Sequence, residues 1–135
     1  MMSEAEPDDE VRPTCEPVIR VIAMPADTNP HGDIFGGWLM SQMDLAAGNV
    51  AARHGKGRVV TVAVDAMSFI RPVSVGDEVS VYAELVQTGR ASMRIHVEAW
   101  RRARQSEESL KVTKAEFTFV AIDAEGKSRA LAASH

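Results

Sequence analysis

The sequence holds a single cysteine, Cys15, which excludes an intrachain disulfide and a cysteine-built zinc site. A reducing compartment, the cytoplasm, suits that scarcity. A membrane-spanning run is also missing. The most charge-poor stretch, 34–52 (IFGGWLMSQMDLAAGNVAA), carries Asp44, Gln42, Asn49, Ser41 and three glycines, and would cross a bilayer poorly. The N-terminus has neither a basic lead nor an apolar segment, so no signal peptide is expected. There is no G-x-S-x-G elbow, P-loop, G-x-G-x-x-G or H-E-x-x-H motif, which removes the common hydrolase, nucleotide and zinc-protease signatures. Positive charge is in deficit: 15 Lys and Arg against 19 Asp and Glu give −4, which argues against a nucleic-acid partner.

Where that charge sits matters more than its sum. Six acids (Glu4, Glu6, Asp8, Asp9, Glu10, Glu16) and two bases (Arg12, Arg20) lie in the first 20 residues, so these account for the whole −4. Residues 21–135 hold 13 of each sign and are neutral. At 135 residues the chain is one domain with room for a sizeable core. Residues 1–16 are too acidic and proline-rich to offset their ordering entropy, so a disordered tail is expected there, with the domain over 17–131 and a flexible end at 132–135.

Val18–Ile22 reads as a short β-branched strand, and 24–33 as a Pro/Asn/Gly loop. A helix is expected from Gly36–Gly37, with Leu39, Met43, Ala46, Ala47, Val50 and His54 on one face and Gly55 as its C-terminal cap. Its other side (Trp38, Met40, Leu45, Ala51, Ala52) is apolar too, which marks a buried helix. The period then drops to two: strands are expected at 59–65, 79–85, 93–100 and 115–121, separated by turns. The order β–α–β–β–β–β predicts an α+β fold, one helix against a mainly antiparallel sheet with one polar face. Half of so apolar a helix needs cover from a second chain, which predicts a dimer.

Asp44 is the only formal charge between Asp33 and Arg53, placed mid-helix where an acid gains nothing from the dipole. Such a carboxylate is a candidate base or nucleophile, or else a structural ion-pair partner. Gly36 and Gly37 let a ligand approach free amides at the helix start, a carbonyl-polarising arrangement. Gly37 and Asp44 stand roughly 10 Å apart along one helix, so both can act on one bond only if they come from different subunits. Asp27, His31 and Asp33 fit turn formation better than metal ligation, and no metal site is expected. Arg90, Arg94, Arg101, Arg102 and Arg104 form a basic stretch against Glu98, suited to phosphate or to solvated strand edges. Arg71, Arg90 and Lys114, near turns and strand ends, are the phosphate candidates.

The blocks PADTNPHGDIFGGWLMSQMD, GRVVTVAVDAMSFIRPVSVGDEV and AEFTFVAIDAEGK resemble the bacterial YciA-type acyl-CoA thioesterases of the hotdog superfamily, from about Val18 to Leu131. The resemblance implies a hotdog fold: a long central helix wrapped by a five- to six-stranded sheet, dimerising into a continuous sheet, with trimers of dimers common. It implies hydrolysis of acyl-CoA without metal or cofactor. It puts the family's helix carboxylate on Asp44 and its Gly-Gly helix start on Gly36–Gly37, with the Gly37 amide on the thioester carbonyl. The loop asparagine falls on Asn29 and the strand hydroxyl on Thr61. His31 departs from the pattern and bears on specificity. Two alternatives stand beside this: a hotdog dehydratase using His31 and Asp44, and a non-catalytic acyl-CoA-binding module. The dehydratase pattern continues its histidine with Phe-Pro-Gly, whereas here Gly32-Asp33-Ile34 follows.

Overall fold

The computed structural model describes residues 11–131. Strand β1 (Ile19–Ile22) leads through one 3-10 turn (Pro25–Asp27) to helix α1 (Gly36–Gly55). Four long strands follow: β2 (Val59–Phe69), β3 (Glu78–Thr88), β4 (Ser92–Arg102) and β5 (Ser109–Ala121). All pair antiparallel in one five-stranded sheet ordered β1-β3-β4-β5-β2. The expected element order is present. All four long strands run past their expected bounds, and in β2 two bulges break the two-residue period. The first sets Thr61 and Val64, rather than Thr61 and Ala63, opposite Phe119 and Phe117. The second includes Ala66 at φ 53°, a left-handed conformation rare for alanine.

One face of α1 lies on the sheet. Leu39, Met43, Ala46, Ala47 and Ala51 share a core with Val79, Val81, Met93, Ile95, Val97, Phe117 and Phe119. The buried stripe ends on Ala51 and Gly55, not on Val50 and His54 as the spacing predicted; Val50 is half-buried and His54 exposed. Steps of four residues carry the stripe round the helix, so its last turn presents the next position. Gly55 is not the cap either. Lys56 takes the left-handed conformation (φ 53°, ψ 46°) and returns its N–H to Ala52 O at 2.8 Å. Gly55 serves packing instead, because a Cβ there would meet Val59 Cγ1 at 3.4 Å and Met93 Cε at 3.5 Å.

The far sheet face carries Glu84, Arg94, His96, Glu98 and Glu116, as expected of a polar face. Yet Tyr82 and Trp100 on it are buried. Residues 11–16, expected within a disordered tail, lie along this face: Arg12 Nη1 donates to Ser109 Oγ at 3.2 Å, and Pro13–Cys15 flank Tyr82 and His96. Residues 1–10 and 132–135, the rest of the expected tail and the C-terminal end, lie outside the described residues. Among the described residues no helix is long and apolar enough to cross a membrane.

Candidate active site

The site forms where α1 passes β2. Asp44 lies on the third turn of α1, and Thr61 lies just before the first bulge of β2, opposite Phe119. Thr61 Oγ1 donates to Asp44 Oδ1 at 2.7 Å, joining the helix acid to the strand hydroxyl across 17 residues. A hydroxyl has one proton to give, so Thr61's lone pairs face whatever else enters. Asp44 is half-buried, and next to it Leu45 is 62% exposed.

The start of α1 supplies the amides. Phe35 precedes the helix without a side-chain cap, so the first-turn N–H groups are not taken by one. A Cβ on Gly37 would meet nothing within 4 Å, and one on Gly36 would only touch the Phe69 ring at 3.4 Å. Neither glycine has a positive φ. Within the protomer, then, neither backbone conformation nor packing calls for glycine at 37, although glycine costs a helix about 1 kcal/mol against alanine. A cavity of about 380 Å³ adjoins this end, lined among others by Phe35, Gly36, Leu39, Phe69 and Arg71.

The other expected residues are dispersed. Asn29 shapes the preceding loop: its Oδ1 accepts from His31 N at 2.9 Å and Asp33 N at 3.1 Å. His31 is exposed in that loop. Arg71 borders the cavity, and its Nη1 is engaged with Lys111 O at 2.7 Å. Lys114 pairs in register with Glu98, on the sheet face away from α1. Arg90 sits at the β3–β4 turn in a groove with His54, at the opposite end of the helix from Gly36. Most of the basic stretch is occupied structurally: Arg94 pairs with Glu116 at 3.3 Å and Asp65 at 3.6 Å, Arg102 with Glu78 at 3.4 Å, and Arg101 Nε donates to Pro72 O. Among the described residues no group of three or more His, Cys, Asp or Glu side chains is arranged to hold a metal ion.

A cluster that residue-by-residue reading missed lies on the far face. His96 Nε2 meets Glu98 Oε2 at 2.8 Å and Nδ1 meets Glu116 Oε2 at 2.5 Å, while Trp100 Nε1 donates to Glu98 Oε1 at 3.0 Å. Glu98 foremost, then Glu116, holds the His96 pKa above its usual value against the opposing effect of burial. Burial alone would raise the Glu98 carboxyl; the His96 and Trp100 hydrogen bonds and the Lys111 charge outweigh it and hold the carboxyl low. The signal available in sequence was the i, i+2 spacing of His96, Glu98 and Trp100 on one strand face, without the strand pairing that brings Glu116 alongside.

Comparison with known proteins gives the family. A family model described as the thioesterase superfamily matches residues 31–108. An uncharacterized acyl-CoA thioester hydrolase of Zymomonas mobilis is 56% identical over 122 residues, 90% of this chain and 82% of that protein. The acyl-CoA thioester hydrolase YciA of Escherichia coli is 54% identical over 117 residues, covering 84% and 89%. The hexameric thioesterase y2039 of Yersinia pestis superposes with a TM-score of 0.86 at 49% identity, over 91% of this chain and all of that one. HI0827, a hexameric broad-specificity acyl-coenzyme A thioesterase, gives 0.86 at 47% identity, over 93% and 86%. With one long helix, a five-stranded antiparallel sheet and these relatives, the chain belongs to the thioesterase superfamily, in its hotdog fold.

Proposed function

We propose that the protein hydrolyses acyl-CoA thioesters to the free acid and CoA, in a site completed by a second copy of the chain. The observation that carries this is the Thr61–Asp44 hydrogen bond, which fixes one oxygen of the only acid on α1 beside a surface open to a partner. The Gly37 N–H donates to the thioester carbonyl oxygen and stabilises the negative charge that grows there. Asp44 takes a proton from water while the water oxygen adds to the carbonyl carbon, or its own oxygen adds to give an anhydride that water then opens. Thr61, its proton committed to Asp44, accepts from the attacking water and so aims it. The C–S bond breaks to release a thiolate, which needs no strong acid. This chemistry uses only the protein's own groups, without metal or cofactor.

Gly37 and Asp44 of one helix are roughly 10 Å apart, so each carbonyl takes its amide from one protomer and its carboxylate from the other. The long free edge of β2, exposing Val60 and Val62, and the exposed Met40 and Leu45 of α1 suit a dimer with a continuous sheet. Relatives described as hexameric support a trimer of such dimers. Arg90, exposed at its turn, is the foremost of the candidate phosphate contacts, ahead of Arg71 and Lys114. The lone exposed Cys15 suits a cytoplasmic enzyme. Release of free thiol from a panel of acyl-CoAs tests the reading and reports chain-length preference. Asp44→Ala is expected to lower turnover by about 10³-fold with the oligomer intact; wild-type-like hydrolysis by that variant would refute the assignment.

A further inference from the structure

Strand β2 ends on an aromatic residue that the core does not use. Phe69 is 51% exposed and lies outside the buried cluster between α1 and the sheet. It is nevertheless firmly held. Past the second bulge, the fully buried Thr113 donates its Oγ1 proton to Ser68 O at 2.5 Å, and Ile70 N donates to Val112 O at 2.6 Å. The backbone is pinned to β5 on both sides of Phe69, which itself pairs with Thr113. The tip of the ring is set against the start of α1: a Cβ on Gly36 would meet Phe69 Cζ at 3.4 Å, Cε1 at 3.7 Å and Cε2 at 3.9 Å. Gly37 follows, one Cα step of about 3.8 Å further on. The ring also lines the cavity of about 380 Å³, with Ile34, Leu39, Val73 and Val112. Arg71 is the one charged residue of that lining, and its Nη1 is committed to Lys111 O at 2.7 Å.

We propose that the Phe69 ring sets the length of acyl chain the protein accepts, at the point where the helix start opens into this cavity; this rests on the thioesterase reading above. An acyl chain leaving a carbonyl held on the Gly37 N–H meets the ring within a few bonds. Apolar walls suit hydrocarbon. They do not suit the amides of a pantetheine arm, which would be buried there without partners. Carbons that pass the ring gain contact with the walls, and carbons that the ring stops gain none. One methylene in or out of an apolar pocket changes kcat/KM by about 10- to 200-fold, so a single ring at this place is enough to select between short and long chains.

Substitution at 69 changes the bulk beside Gly36, and at a half-exposed position it leaves no void in the core. With the full-length protein and straight-chain acyl-CoAs, Phe69→Ala is expected to raise the ratio of kcat/KM for a ten-carbon over a four-carbon chain about tenfold or more. Phe69→Trp should lower that ratio by a similar factor, and Phe69→Leu should fall between wild type and Phe69→Ala. An unchanged ratio in Phe69→Ala and Phe69→Leu would mean that the chain runs elsewhere and would overturn the inference. A fall of equal size at every chain length would also overturn it, because the ring would then only prop the helix start. S-alkyl-CoA thioethers, which cannot be hydrolysed, separate this from failure of the thioesterase reading. Their dissociation constants, measured by calorimetry over the same chain lengths, should shift in favour of the ten-carbon chain about tenfold or more in Phe69→Ala, whether or not any acyl-CoA is turned over. Hydrolysis retained without that shift overturns the inference and leaves the thioesterase reading standing; failure to bind any thioether overturns it as well.

Discussion

At the scale of single residues, the informative positions are those where the protomer gives no reason for what is there. Gly37 is such a position: a Cβ has open space, φ is not positive, and helix propensity favours alanine. Gly37→Ala should therefore stabilise the isolated fold by about 0.5–1 kcal/mol while the methyl blocks approach to its amide. Thermal unfolding should show the same or a higher Tm, and kcat/KM should fall more than about tenfold. A lower Tm with unchanged kcat/KM would remove Gly37 from the site. Asp44 was legible in sequence for a related reason, being the only acid on an apolar helix. Its partner Thr61 was legible only through family resemblance, because a bond across 17 residues follows from packing. Arg94 and Arg102 misled for the same cause. Their charge can be counted along the chain, but Asp65, Glu78 and Glu116 reach them only through strand pairing.

At the scale of elements, periodicity found every long strand and the helix, since apolar alternation is what buries one sheet face. It failed where the backbone departs from the period, at the two β2 bulges, and where a glycine was read for conformation when it serves contact, at Gly55. The pairing of β4 with β5 also creates the His96 cluster, and this carries a pH dependence. His96 is raised above 6.5, first by its hydrogen bond to Glu98 and then by Glu116, against burial. A raised folded pKa means that protonated His96 stabilises the fold, fully below 6.5, and that the contribution is lost as pH rises through the folded value. Glu98, held low, contributes above its ordinary 4.5 and loses that contribution as pH falls through its folded value. The Tm advantage of wild type over His96→Gln should thus be larger near pH 6 than near pH 9. Melting curves across that range check it; an advantage that is constant or grows with pH would contradict the ion pairing.

At the scale of the whole molecule, the two edges of the sheet differ in kind. β1 is four residues long and carries Arg20, the short charged edge that a monomeric sheet tolerates. β2 is 11 residues long, and its first half, VVTVAV, has no charge and no proline, with Val60 at 42% and Val62 at 55% exposed. Apart from the bulge after Thr61, this half of the edge carries neither the charge nor the proline that discourages pairing with another strand, and Thr61 lies on it. On the proposed reading, cover by a second β2 answers this and brings the partner's helix start towards Asp44, so that assembly and catalysis would share one surface. Val62→Lys, a change at an exposed side chain that the protomer fold can accept, should place a charge on that edge. Light scattering should show a shift towards smaller species, and kcat/KM should fall more than about tenfold with the circular dichroism spectrum retained. Full activity in a species that scatters as a monomer would show that one chain suffices, and would place Gly37 and Asp44 in separate roles.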